Sequence, residues 1–188
     1  MQFFTATLAF TAATLVSANT MTFVNQDETT RTVYITPSAG HAEIPSVEIQ
    51  GNSRATVDFP DSWIGNAYAV SEGSANNAGM LAEVTFQGSG GSTYYDVSAI
   101  VDPSDVNGVK MMYPASDEGK AEKSSFSGCQ SFPCNDAYYH PDDIQTVSTE
   151  ETDLIVTLGT SSDVQARDVE PREAHFKHFP RTYVLGKQ

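Results

Sequence analysis

A chain of 188 residues with 24 Asp+Glu against 10 Lys+Arg carries a formal net charge of −14, which is long enough for one domain with a real core. The charge is uneven: residues 19–159 hold 20 acidic and 5 basic residues (net −15), and residues 160–188 hold 4 and 5 (net +1). A surface at −15 repels phosphate backbones and anionic head groups, so neither nucleic acid nor membrane is an expected partner, whereas neutral polysaccharide, cationic peptides and metal ions are compatible with it.

In chain order, residues 1–18 read as a signal peptide. They contain no charged side chain, run apolar through Leu15 and Val16, and place Val16 and Ala18 at −3 and −1 of a cut before Asn19. The stretch is too short and too rich in Thr to span a bilayer stably. Export follows, to the medium or the cell wall. Beyond it the chain reads as strands separated by turns. Residues 21–25 and 31–36 alternate apolar and polar around 26–30, a hairpin signal, and 47–49 with 55–59 around Gly51-Asn52 give another. A further strand is expected over 63–71. The clearest two are 81–86 and 93–101, joined by the flexible run 87–92, and later strands are expected at 109–113 and 154–158. With no convincing amphipathic helix, this spacing predicts an all-β antiparallel sandwich forming a single domain over 19–159. Residues 114–128 read as an exposed loop, and 160–188 as a C-terminal tail outside the compact domain.

The strongest chemical constellation comes from the two clear strands. Glu83 shares a strand face with Leu81 and Thr85, and Asp96 with Tyr94 and Ser98. A six-residue connection pairs Phe86 with Thr93 and sets Glu83 directly opposite Asp96. Like charges at such positions, with Cβ atoms ~4.5–5.5 Å apart, are destabilising. A raised pKa, a bound cation, or a nearby Arg or Lys must relieve the repulsion. Asp102, just past the strand, could extend the acidic row.

A second cluster follows Cys134, where Asp136, His140, Asp142 and Asp143 are of metal-ligand type. Asp-rich turns with Pro are also ordinary turn chemistry, so neither a metal nor another cofactor is expected. Cys129 and Cys134, in an exported chain, are expected to form a disulfide closing a tight loop. His41-Ala42-Glu43 lacks the downstream cysteine pair of a zinc deaminase, and serine nucleophile elbows and phosphate loops are absent from the sequence.

Several segments, in this order, resemble the thaumatin-like family. They are Phe23-Val24-Asn25 through Val33-Tyr34, then Leu81-Ala82-Glu83-Val84-Thr85-Phe86, then Tyr94-Tyr95-Asp96-Val97-Ser98, and the stretch from Cys134-Asn135-Asp136-Ala137-Tyr138 to Pro141-Asp142-Asp143. The resemblance is to a shortened, cysteine-poor, fungal-type secreted member. It implies an acidic cleft that binds β-glucan or another wall component, with Glu83 and Asp96 on two cleft acids, Asp102 on a third, and a fourth from the Asp136–Asp143 stretch. The candidate binding residues are thus Glu83, Asp96, Asp102, Asp136 and Tyr94. The chain departs from the family in having two cysteines, in lacking a disulfide-rich second domain between Pro114 and Gly128, and in offering no cleft arginine around Gly65-Asn66-Ala67-Tyr68.

The expected function is polysaccharide binding by a secreted monomer. One alternative is a weak glucan hydrolase with Glu83 and Asp96 as catalytic pair, carboxyls ~5–5.5 Å apart suiting a retaining mechanism and ~6.5–9.5 Å an inverting one. The others are a nuclease using a divalent cation near Asp136, His140 and Asp142, and a protein recognised by a host partner.

Overall fold

The computed structural model describes residues 19–120, 122–161 and 177–186. The expected signal peptide lies outside the described residues, as do 162–176 of the expected tail. Among the described residues eleven strands are formed: β1 (Asn19–Asn25), β2 (Arg31–Pro37), β3 (Val47–Ile49), β4 (Arg54–Phe59), β5 (Ile64–Ser71), β6 (Leu81–Thr85), β7 (Thr93–Ser98), β8 (Val109–Pro114), β9 (Ser127–Gly128), β10 (Val147–Thr149) and β11 (Asp153–Leu158). They make two sheets, ordered β4-β1-β11-β8-β9 and β10-β7-β6-β5-β2-β3. All pairings are antiparallel except that of β1 with β11, which runs parallel from Thr20↔Asp153 to Asn25↔Leu158. The all-β sandwich expected from the strand spacing is the observed architecture.

The period-2 alternation of each strand sends one set of side chains between the sheets. Phe23, Leu154, Val156 and Met112 come from one sheet, and Val33, Val84, Tyr95 and Val97 from the other. Trp63, fully buried at the entry to β5, donates its indole N–H to the Ala42 carbonyl at 2.8 Å.

Two expected hairpins are not hairpins. β1 and β2 lie in different sheets, and so do β3 and β4, which makes residues 26–30 and 50–53 corners between the layers. Alternation reports which side chains share a face but does not name the partner strand, and here side chains distant in sequence lock the corners together. The Asn25 amide donates to the carbonyls of Thr29 at 2.7 Å and Gln50 at 3.0 Å. The Asn52 N–H donates to the Asp27 carbonyl at 2.7 Å. Buried Arg31 grips both Asp27 oxygens at 2.7 and 2.8 Å and donates its Nε–H to the Asn107 carbonyl at 2.9 Å.

Residues 114–128 are likewise tethered rather than free. Buried Asp117 accepts from the Ser124 N–H and, at 2.9 Å, from Lys120 Nζ, while Ser125 bonds the Tyr95 hydroxyl. The segment ends as β9 on the edge of β8. The Cys129–Cys134 disulfide forms as expected.

β6 and β7 are buried at every position. A strand covered on one face alternates, so something must cover the outer face of this hairpin. That cover determines what the carboxylate pair can do.

Candidate functional site

The hairpin register is the one the loop length predicts. Glu83 faces Asp96, Thr85 faces Tyr94, and Leu81 faces Ser98. Because Ala82, Val84, Tyr95 and Val97 enter the sandwich core, pleating directs Glu83 and Asp96 to the opposite, outer face. That face is closed. Glu83 is 3% exposed and Asp96 fully buried.

Two segments close it. Along the edge of β7, the Tyr138 N–H donates to the Val97 carbonyl at 2.9 Å and the Ala99 N–H to the Tyr138 carbonyl at 2.7 Å, after which the chain continues into β10. Over the face itself lie residues 177–186, which the composition places outside the domain. Phe179 exchanges two backbone hydrogen bonds with Thr146, at 2.7 and 3.2 Å. Its ring meets Tyr94 edge-on at 5.3 Å, and Tyr183 packs 5.0 Å from the same Tyr94. Thr85 Oγ1 donates to the Val184 carbonyl at 2.6 Å, and Val184 is buried. The apolar area under Phe179, Tyr183 and Val184 is what makes this docking favourable.

At the centre, Arg181 donates from Nε to Glu83 Oε2 at 2.8 Å and from Nη2 to Oε1 at 2.7 Å. This two-pronged pairing matches guanidinium to carboxylate geometry. Asp96 behaves differently. Burial pushes its carboxyl well above the usual range, and the charge of Glu83 pushes it further, against hydrogen bonding from Thr146 and the positive charge of Arg181. Burial and the neighbouring carboxylate thus both favour the protonated form of Asp96. Its Oδ2 accepts from Thr146 Oγ1 at 2.8 Å, while Oδ1 has no donor among the described residues. Protonation turns that carboxyl into a donor, with Glu83 as the acceptor. Thr146, having given its proton to Asp96, accepts from the Tyr138 hydroxyl at 2.9 Å, and the Phe179 carbonyl 3.1 Å away is that hydroxyl's alternative acceptor. Of the three ways to relieve the acid pair, the fold supplies an arginine on Glu83 and surroundings that raise the pKa of Asp96.

The remaining sequence candidates stand apart from this centre. Asp102 turns its carboxylate onto the N–H of Ser104 at 2.9 Å and its hydroxyl at 2.6 Å, and these bonds hold its pKa below the ordinary range. Asp136 is half-buried; burial raises its pKa, with the His178 charge opposing. Its backbone carbonyl accepts from the Ser127 hydroxyl and the Gly128 N–H at 2.9 and 2.6 Å. Asp143 accepts from the N–H groups of Tyr139 and His140 at 2.9 and 2.8 Å, as a turn-forming carboxylate does. Among the described residues no group of three or more His, Cys, Asp and Glu is arranged to hold a metal ion.

Sequence reasoning missed Arg181, Phe179, Tyr183 and Thr146. The available signal was the sign of the charge: an unpaired acid pair in a domain at −15, followed by a segment at +1 that contains Phe179-Pro180-Arg181.

No family model matches the chain. The antigenic protein SchS21 of Stachybotrys chartarum is 45% identical to it over 142 residues, which span 76% of this chain and 95% of that protein. Among solved structures, the protein elicitor MoHrip2 from Magnaporthe oryzae aligns with a TM-score of 0.54 at 17% identity, over 76% of this chain and 100% of that one, a likeness of fold. These findings overturn the thaumatin-like resemblance. The segments that suggested it are short strands of alternating pattern and an Asp-rich turn, which recur in unrelated β-sandwiches for the same physical reasons. The guanidinium that pairs with Glu83 comes from residue 181, far along the chain.

Proposed function

Since the chain belongs to the family of the Stachybotrys antigenic protein SchS21, we propose that it is a secreted protein that acts by being recognised by another organism's receptors or antibodies. The observation that carries this reading is 45% identity across nearly the whole length of an antigen. The uncharged apolar leader over residues 1–18, with Val16 and Ala18 at −3 and −1 of a cut before Asn19, supports export. The closure of the acid pair supports recognition over turnover. Glu83 and Asp96, which a hydrolase would present to a sugar, are buried beneath Arg181 and the aromatic rings of Phe179 and Tyr183.

The test is competition. Antibodies raised against SchS21 should bind the purified, folded chain, and soluble folded chain should inhibit their binding to SchS21, whereas a heat-unfolded sample should inhibit less. Absence of inhibition by folded protein overturns the proposal. Plasmid digestion that both a chelator and His140→Ala abolish would replace recognition by turnover.

A further inference from the structure

The outer face of β6 and β7 has the parts of a peptide-binding site. It offers backbone pairing next to an edge strand, an aromatic wall at Tyr94, a carboxylate at Glu83, and a hydroxyl at Thr85 that reaches a backbone carbonyl. We infer that this face is a recognition site for a cationic peptide segment of the form aromatic-x-Arg-x-aromatic, and that in this structure the chain's own Phe179-Pro180-Arg181-Thr182-Tyr183 fills it.

A single antiparallel bridge tacks the segment beside β10, the outermost strand of its sheet: Thr146, which precedes β10, pairs through both backbone groups with Phe179. Beyond Pro180 the segment folds into turns, with the Tyr183 N–H donating to the Pro180 carbonyl at 3.0 Å and the Leu185 N–H to the Arg181 carbonyl at 3.1 Å. The bridge fixes where the segment starts, and the side chains of Phe179, Arg181 and Tyr183 make the specific contacts. Two of them stand on Tyr94 and the middle one enters Glu83. Lys is a poor substitute for Arg here, because the two oxygens of Glu83 each accept from a different guanidinium nitrogen.

The rest of the site is assembled without the segment. Asp96, Thr146 and Tyr138 form a buried chain of hydroxyl and carboxyl groups behind Glu83, and their bonds to one another do not involve Arg181. This chain orients the floor of the site, and the Phe179 carbonyl, 3.1 Å from the Tyr138 hydroxyl, is an alternative acceptor to Thr146 for its one proton. Charge agrees as well: the domain over 19–159 stands at −15, and the segment brings positive charge to it. The segment belongs to the same chain, so it competes with outside ligands as an intramolecular occupant, for which a short flexible connection gives an effective concentration of about millimolar. A partner peptide of the same chemistry must displace it. This inference stands on the geometry alone and does not depend on the antigenic reading.

The experiment uses the full chain and a fluorescein-labelled peptide of residues 177–186, Lys-His-Phe-Pro-Arg-Thr-Tyr-Val-Leu-Gly. Polarisation titrations compare the wild type, Arg181→Ala, and Arg181→Ala with Glu83→Gln. Arg181→Ala weakens the tethered competitor, so it should bind the peptide at least about tenfold more tightly than wild type. Adding Glu83→Gln should remove at least about tenfold of that gain, and the peptide carrying Arg181→Ala should not bind. A cooperatively melting Arg181→Ala chain that ignores the peptide up to about 1 mM, near the effective concentration of the tether, would overturn the inference. Equal binding of the arginine-free peptide would do the same. Should Arg181→Ala fail to fold, the wild-type chain is given a specific protease sequence between Ser161 and Lys177 and cut after folding. Exchange of its released C-terminal fragment for labelled peptide during gel filtration supports the site; a fragment that stays bound against excess peptide marks a fixed structural element and refutes it.

Discussion

Replacing Asp96 by Asn should be nearly harmless, although the residue is fully buried in the hydrogen-bonded centre of the molecule. The reason is that the fold favours the neutral form of the Asp96 carboxyl. Asn offers an oxygen where Thr146 Oγ1 donates and an N–H where the acid proton faces Glu83. At about pH 4 and below, where the folded and unfolded chains can both carry the proton, the expected change is within about 1 kcal/mol, the scale of one exchanged hydrogen bond. Glu83→Gln is the contrast. It leaves the Arg181 guanidinium, 19% exposed, without its carboxylate. Removing one member of a buried pair costs about 3–5 kcal/mol, and partial exposure together with the freedom of 177–186 to lift away reduces this to about 2–3 kcal/mol. For a domain of this size that is a fall in Tm of about 5–10 °C. The pH dependence separates the two further. A carboxyl whose folded pKa lies above its unfolded value of 3.8 binds more protons in the folded state between those values, so its stabilising contribution is complete below about pH 4 and is lost as pH rises through the folded pKa. The loss is at most about 1.4 kcal/mol per pH unit. Asn carries no such proton, so Asp96→Asn should gain on wild type steadily as pH rises from 4. Urea unfolding followed by circular dichroism and Trp63 fluorescence at several pH values measures the difference. A variant that loses more than about 2 kcal/mol at pH 7, or whose offset from wild type does not vary with pH, would show Asp96 ionised in the folded state and refute the reasoning.

Arg31→Met should cost about 3 kcal/mol, because it strips Asp27 of the guanidinium that joins two inter-sheet corners. Burial alone would raise the Asp27 pKa, but hydrogen bonds from Arg31 and from the Thr29 and Thr160 amides hold it well below the ordinary range; its stabilisation is present above about pH 4 and fades as pH falls, so Arg31→Met should also flatten the acid limb of a stability–pH curve. Gly159→Ala should destabilise by more than about 2 kcal/mol in thermal melts, since Gly159 sits at φ +67° and a Cβ there would come 2.2 Å from Asp27 Oδ2 and 2.7 Å from the Arg31 nitrogens. Joint replacement of Cys129 and Cys134 by Ser should cost about 2 kcal/mol, the chain-entropy value for so short a loop, with the core transition still cooperative; wild type under reducing conditions should melt like the variant.

Among the described residues, alternation of apolar and polar residues was enough to locate nine of the eleven strands, eight to within two residues and β7 ending three short of its expected end at 101, because a strand's faces are written locally, two residues apart. The other two, β9 and β10, are of two and three residues and carry too little pattern to read. The opposition of Glu83 and Asp96 was also legible, since a short connection leaves the hairpin register little freedom. What pattern could not show was which strands meet across the layers. Residues 26–30 and 50–53 look like hairpin turns, and they become corners through Asn25 and Arg31 bonding to groups as far away as Asn107.

The sequence by itself determined that this is an acidic β-sandwich with two carboxylates set against each other and in need of relief. Only the tertiary structure decided how that relief comes. The raised pKa of Asp96 follows from complete burial, a property of the packed molecule, and the charge on Glu83 is met by an arginine 98 positions along the chain. Local rules act over a few residues. The free energy that seats Arg181 arises from rings, backbone and carboxylate converging on one face, and that convergence exists only once the sheets have formed.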